Sequence, residues 1–212
     1  MLKLIQGSHA AAYPHLFDQM FQLRARVFGE RLGWDVNVVD GKERDQFDDY
    51  DPLYGLALSE DGANVLGCFR LLQTTGPTML GSVFKELLPD GLSIRSPIIW
   101  ESTRFCVDTE RAEMLGEHGL NSLTGTLLSS VYETGMLAGL SHVVTVIDVR
   151  MERVMRRAGC PMERIGPPKR IGKVDTVATL VPTTPSAVAE IHARNGITAP
   201  CVELHHLQSV AA

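Results

Sequence analysis

The chain has 212 residues, 44% of them hydrophobic and 21% charged, with 20 Lys and Arg against 25 Asp and Glu for a net charge of −5. That composition is globular and excludes a disordered, collagenous or fibrous chain, and the length favours one domain over 1–212. The acidic balance argues against a nucleic-acid binder, and no apolar run approaches the roughly 18 residues of a membrane span.

In chain order, MLKLIQGSHAAAY carries one Lys and no sustained apolar stretch, so no signal peptide is expected, and Leu2 to Gln6 suits a short strand. Residues from about 14 to 30 predict an amphipathic helix with Leu16, Met20, Leu23 and Val27 on one stripe. From Gly33 to Pro52 the chain is polar and acidic without periodicity, a loop long enough to be functional or mobile. Strands are predicted at Leu53–Leu58, Asn64–Gln73 and Ile98–Val107, with TTGPTMLG a loop and Ser82 to Leu88 a short helix. A helix over about 117–139 precedes HVVTVID at 142–148, which is apolar on both faces as a covered central strand should be. A helix from about 149 to a stop at Gly159, a strand from Lys173 to Val181 and a helix from Pro185 to Arg194 complete the order. Antiparallel neighbours mixed with crossovers predict an α/β protein, a three-layer α/β/α sandwich on a mixed sheet.

Cys68, Cys106, Cys160 and Cys201 are scattered, with no CxxC or Cys/His spacing. They read as reduced, mostly buried thiols in a cytoplasm, and no metal site is expected. The His205–His206 pair reads as solvated, since a site needs three or four positioned ligands.

The informative residues break the apolar pattern. Phe17, Phe21, Arg24 and Phe28 share a helix stripe, so Arg24 either snorkels at the core edge or serves a site. Arg70 shares a strand face with Leu66, Cys68 and Leu72 and needs an anion, for which Asp45 and Asp48 are the candidates. Glu101 and Arg104 interrupt the strand PIIWESTRFCV and, three apart, would face opposite sides unless a β-bulge lies between them. With an exposed-looking Trp34, these charges suit a small zwitterion: carboxylates for an amine, arginines for a carboxylate, an aromatic for a cation. No Ser/His/Asp order, Walker loop or GxGxxG is present.

RARVFGERLGW, DQFDDYD, GCFRLLQTTGPTML and IWESTRF together resemble the LuxI-type acyl-homoserine-lactone synthase family. Arg24, Phe28, Trp34, Asp45, Asp48, Arg70, Phe84, Glu101 and Arg104 fit its spacing from the N-terminus to at least Val181, with Thr103 standing where relatives often have serine. The resemblance implies a fold like the GNAT-type N-acyltransferases. It also implies acylation of the S-adenosylmethionine amine from an acyl thioester, then lactonisation with release of methylthioadenosine. S-adenosylmethionine is then a substrate, and no cofactor is expected. Glu101 would be the base, directly or through a water, and backbone N–H groups at the bulge would stabilise the oxyanion. Arg24, Phe28, Trp34, Asp45, Asp48, Arg70 and Arg104 would form or brace the S-adenosylmethionine pocket under a mobile 33–52 loop. Phe105 and Thr145 would also bind substrate, Thr145 at a position linked to 3-oxo acyl chains.

Between Arg150 and Lys173 there are eight basic and two acidic residues, a net +6 that leaves −11 elsewhere. Met151, Val154, Met155 and Ala158 would pack inward, leaving Arg150, Arg153 and Arg157 outward. With Lys169 and Arg170 they form a candidate dock for an acidic acyl carrier protein, acyl-CoA being the other donor. The rival readings are a GNAT-type acetyltransferase, against which the missing pyrophosphate loop after Val107 speaks, and a non-catalytic sensor of a nucleotide-like ligand.

Overall fold

The longest apolar runs of this chain end up in the middle of one sheet, where both faces are covered. A computed structural model describes residues 1–113 and 119–203. In chain order its strands are β1 (Leu2–Gln6), β2 (Val38–Val39), β3 (Lys42–Glu43), β4 (Leu53–Leu58), β5 (Val65–Gln73), β6 (Ile99–Val107), β7 (His142–Asp148), β8 (Glu163–Arg164), β9 (Lys169–Ile171) and β10 (Val174–Pro182). The α-helices are α1 (Pro14–Arg24), α2 (Met79–Ser82), α3 (Thr109–Glu113), α4 (Gly119–Leu137), α5 (Val149–Arg157) and α6 (Pro185–Asn195).

The main sheet runs β1-β4-β5-β6-β7-β10-β8, with β9 also on β10, while β2 and β3 form a separate ribbon. Every neighbouring pair is antiparallel except β6 and β7. A parallel pair needs a long crossover, which α3 and α4 supply. Phe69, Leu127, Val131 and Ile191 belong to the core between the sheet and α4 and α6. On the other face, Phe17, Met20, Leu23, Leu56 and Cys106 join α1 to the sheet. The result is the three-layer mixed-sheet sandwich read from the sequence.

The β6–β7 pairing covers only Ile99–Ser102 against His142–Thr145. Both strands continue beyond it without pairing to each other, so the sheet is split after Ser102, on the stretch of β6 that carries Arg104, while Glu101 lies within the paired part opposite Val144.

Several elements depart from the expectations. The first helix begins with Pro14 in its first turn but changes to π geometry over Ala25–Arg31, a local winding frequent at functional sites. α2 starts at Met79, three residues before the expected helix, because Thr78 caps it by accepting the Gly81 N–H. The 33–52 stretch is not a featureless loop: it holds the β2–β3 ribbon and a 3₁₀ turn at Gln46–Asp49, capped reciprocally by Asp45 and Asp48. α5 ends at Gly159 (φ 79°) as expected, but Val154 points outward, 41% exposed. The turn face is given instead to Glu152, whose buried carboxylate takes Arg156 and Arg164. His205 and His206 lie outside the described residues, as do 117 and 118 at the start of the expected long helix.

Candidate active site

The bulge that the spacing of Glu101 and Arg104 called for is present. Across β5 and β6, Arg70 faces Thr103 and Cys68 faces Cys106, so Phe69 alone stands opposite both Arg104 and Phe105. Arg104 takes up the extra residue with φ 53°, a left-handed conformation that costs energy for a side chain of this kind. One wound residue turns Arg104 to the face that carries Arg70, Thr103 and Glu101. Phe105 goes to the other side, against the core of α4, and so stands apart from the charged cluster.

On the charged face, three arginines and three carboxylates close a ring of alternating sign. Arg24 reaches Glu43 at 2.6 Å and Asp48 at 2.8 Å. Asp48 passes to Arg70 at 2.7 Å, and Arg70 to Asp45 at 2.6 Å. Asp45 meets Arg104 at 2.7 Å, and Arg104 returns to Glu43 at 2.8 Å. The Tyr54 hydroxyl and the Thr103 hydroxyl brace the ring, donating to Asp48 and accepting from the Arg70 Nε respectively. Arg24 is wholly buried, so it does not snorkel. A buried charge of either sign would be prohibitive alone, and the ring leaves none alone. Burial alone would raise the Asp48 carboxyl, but the hydrogen bond and charge of Arg24, with Arg70 beyond, hold it well below the usual carboxylate range.

Glu101 stands beside this ring without joining it. It is fully buried, and its two oxygens accept the Met79 and Leu80 amides, the orphan donors of the first turn of α2, at 2.8 and 2.6 Å. Burial pushes its pKa up to about 7, although the Leu80 and Met79 amides and then Arg70 pull it down. A carboxylate poised there is suited to accept a proton at neutral pH.

In front of the ring opens a cavity of about 620 Å³, lined among others by Val36, Arg44, Asp45, Phe47, Met79 and Arg104. That is within the roughly 300–1,000 Å³ of small-molecule sites. Of the expected pocket residues, Asp45 and Arg104 reach the wall, while Arg24, Asp48 and Arg70 stand behind and brace it. Phe28 lies under the Arg104 guanidinium at 5.3 Å and stacks on Trp34 at 5.3 Å. Phe84 packs behind the wall, against the cluster of Phe47, Leu72 and Met79.

Residues 8–191 match the autoinducer synthase family. The chain belongs to the acyl-homoserine-lactone synthases. It is 39% identical over 200 residues to the acyl-homoserine-lactone synthase of Agrobacterium fabrum (strain C58), covering 94% of each chain. The crystal structure of the AHL synthase LasI superposes with TM-score 0.79 at 32% identity, over 91% of this chain and 94% of that one. The CoA-dependent synthase BjaI, solved with SAM and isopentyl-CoA, superposes with TM-score 0.83 at 26% identity, over 100% and 99%. The protein is therefore an enzyme that acylates S-adenosylmethionine to make an acyl-homoserine lactone.

The synthase keeps Thr145 at the split between β6 and β7, where its hydroxyl donates to the Ser102 carbonyl at 2.9 Å. Arg150, Arg153 and Arg157 are exposed and, among the described residues, make no ion pair. Lys169 and Arg170 are exposed but engaged, with the Glu86 carbonyl and Asp175. Sequence reasoning missed Glu43, which joins two arginines of the ring, and Met79, whose Sδ meets Arg70 and Arg104 while its amide holds Glu101. The DQFDDYD run drew attention to Asp45 and Asp48, while Glu43, two residues earlier in the same 33–52 stretch, carried no pattern that singled it out. The absence of Cys/His spacing also concealed a second cluster, which shares no residue with this site, where Glu133, His192 and Cys201 meet.

Proposed function

We propose that the synthase draws its acyl group from an acyl carrier protein thioester and that Glu101 receives the amine proton through an intervening water. The observation that carries this reading is the Glu101 carboxylate, buried and outside the arginine ring, with a pKa of about 7. Both of its oxygens are tied to backbone amides, and the cavity wall at Met79 stands in front of it, so a water relay suits it better than direct contact.

S-adenosylmethionine would lie in the cavity before the ring, its carboxylate toward Arg104 and its ammonium toward Asp45, with Phe28 and Trp34 beside the sulfonium. The nitrogen, once deprotonated, attacks the thioester carbonyl; the C–N bond forms, the C–S bond breaks, and the carrier's thiol leaves with a proton. The side of β6 that faces β7, free of that partner beyond Ser102, would supply backbone groups for the oxyanion and for the amides of the carrier's thiol arm. The carboxylate oxygen of the product then attacks its own Cγ, and the sulfonium departs as methylthioadenosine. This closure is intramolecular and asks mainly for positioning. The apolar core on the α4 side, entered past Phe105, would take the acyl chain. Free cysteines support a cytoplasmic location, where such thioesters are made.

The test is to purify the enzyme and offer it S-adenosylmethionine with one acyl chain on either acyl carrier protein or CoA, reading lactone and methylthioadenosine by mass spectrometry. The carrier-bound donor should give the higher kcat/KM. A preference for acyl-CoA would overturn the donor, and absence of lactone from both, across several chain lengths, would overturn the reaction.

A further inference from the structure

We propose that Glu133, His192 and Cys201 form a binding site for a zinc-type divalent cation that fastens the C-terminal segment to α4 and α6. The residues come from near the C-terminal end of α4, the last turns of α6 and the stretch after it. They are 59 and 68 residues apart in sequence relative to Glu133, so no local motif announces them. In space, one carboxylate oxygen, one imidazole nitrogen and the thiol sulfur lie within 4.8 Å of one another.

The surroundings are those of a prepared carboxylate. Glu133 is buried on α4. Its Oε2 accepts the backbone amides of Cys201 and Val202 at 2.7 and 2.8 Å. Its Oε1 accepts the Ser129 hydroxyl at 2.7 Å and meets the His192 Nε2 at 2.8 Å. Three of these four bonds would survive a cation at Oε1, because only the His192 contact has to be exchanged for a metal bond. Metal-bound carboxylates are characteristically oriented by such outer hydrogen bonds. The same backbone contact that holds Cys201 also delivers its sulfur beside the carboxylate.

Donor chemistry narrows the ion. A carboxylate oxygen, an imidazole and a thiolate form a mixed borderline set that suits Zn²⁺ and its neighbours, whereas Mg²⁺ and Ca²⁺ take oxygen alone. Zinc bonds of about 2.0–2.3 Å at tetrahedral angles put donors roughly 3.3–3.8 Å apart. The Glu133–His192 contact at 2.8 Å must therefore open slightly, and the sulfur, within 4.8 Å of both, has to settle into that range. Glu133 and a Cys201 thiolate would balance the dication, leaving a buried site without net charge. Cys201 is a free cysteine whose sulfur carries a proton until a metal binds. Binding forms the S–metal bond and releases that proton to solvent. His192 and Cys201 are half-buried, which leaves a path for entry and an outward fourth position for water. His205 and His206 follow in the sequence outside the described residues and are not counted among the ligands.

Co²⁺ titrated into the chelator-treated full-length enzyme tests this. One equivalent should produce a thiolate-to-cobalt charge-transfer band, which Zn²⁺ then abolishes by displacement. Cys201→Ser should lose the band, and His192→Ala should weaken Zn²⁺ binding at least about tenfold. Zn²⁺ should also raise the melting temperature of the wild type and not that of Cys201→Ser. Lactone synthesis by Cys201→Ser should stay at the wild-type level, which separates this site from the catalytic reading and confirms that the variant folds. No band at several equivalents of Co²⁺, or a band that persists in Cys201→Ser, overturns the site.

Discussion

Glu101 is the residue in which the structure's competing forces are easiest to separate. Desolvation favours the neutral acid, while two amides and Arg70 favour the anion, and the balance falls at about 7. A base must be deprotonated to work. The kcat/KM of the synthase should therefore rise with pH through an apparent pKa near 7 and level off above it, as read from steady-state rates at saturating donor. Glu101→Gln should remove that limb and lower kcat by about 10² or more, with the S-adenosylmethionine affinity from calorimetry nearly unchanged. Glutamine can accept only one of the two amides now held by Glu101, so melting of the variant must be measured alongside. A fully folded variant with wild-type kcat would assign the proton to another acceptor.

At the scale of elements, the bulged strand and the 33–52 segment are locked by one ring of charges. Arg70 is completely buried within it, so Arg70→Ala takes one of two arginine partners from each of Asp45 and Asp48, leaves the buried ring one positive charge short and should cost about 3–5 kcal/mol, on the order of 10 °C in a chain of this size. Trp34 is 36% exposed and stacks on Phe28, a contact worth only about 0.5–1.5 kcal/mol. Trp34→Ala should melt close to wild type yet make little lactone; equal melting losses in the two variants would contradict this division. Asp48 supplies a second measurement. Because its pKa is lowered in the fold, its stabilisation is complete above the ordinary carboxylate pKa and is lost as pH falls below about 4. Denaturant titrations from pH 6 to pH 2 should show that loss, and Asp48→Asn should start less stable and flatten it. Much of this was readable beforehand: an arginine on an apolar strand face demands an anion, and two charges three apart on a core strand demand a bulge. What could not be read was Glu43, because the ribbon that brings it under Arg24 and Arg104 has two-residue strands with no periodicity to detect. The start of α2 was hidden likewise, since the donors of its first turn are satisfied by Glu101 from another strand. Val154 was misplaced because helical spacing does not reveal that Glu152 turns inward to bind Arg164.

Over the whole molecule, charge is distributed unevenly: the stretch from Arg150 to Lys173 carries a net +6 and the rest −11. The structure divides those basic residues by function. Arg156 and Arg164 are spent on Glu152, and Arg170 faces Asp175. Arg150, Arg153 and Arg157 remain exposed on α5, directly after the end of β7 that borders the split in the sheet. A small acidic carrier protein docked on α5 would be placed beside that split, where the proposed reaction needs its thioester. Surface attraction of this type acts mainly on association rate and is screened over roughly 10 Å at 0.1 M salt. Arg153→Glu with Arg157→Glu should therefore raise the apparent KM for a carrier-bound donor severalfold at low salt, with the difference shrinking as salt is added. Neither residue contributes to the core, so melting temperature and S-adenosylmethionine binding should stay near wild type. The corresponding KM for acyl-CoA should change less, because a free thioester presents far less acidic surface than a folded carrier. A carrier KM indifferent to both the charge reversal and the salt would place the carrier on another face of the enzyme.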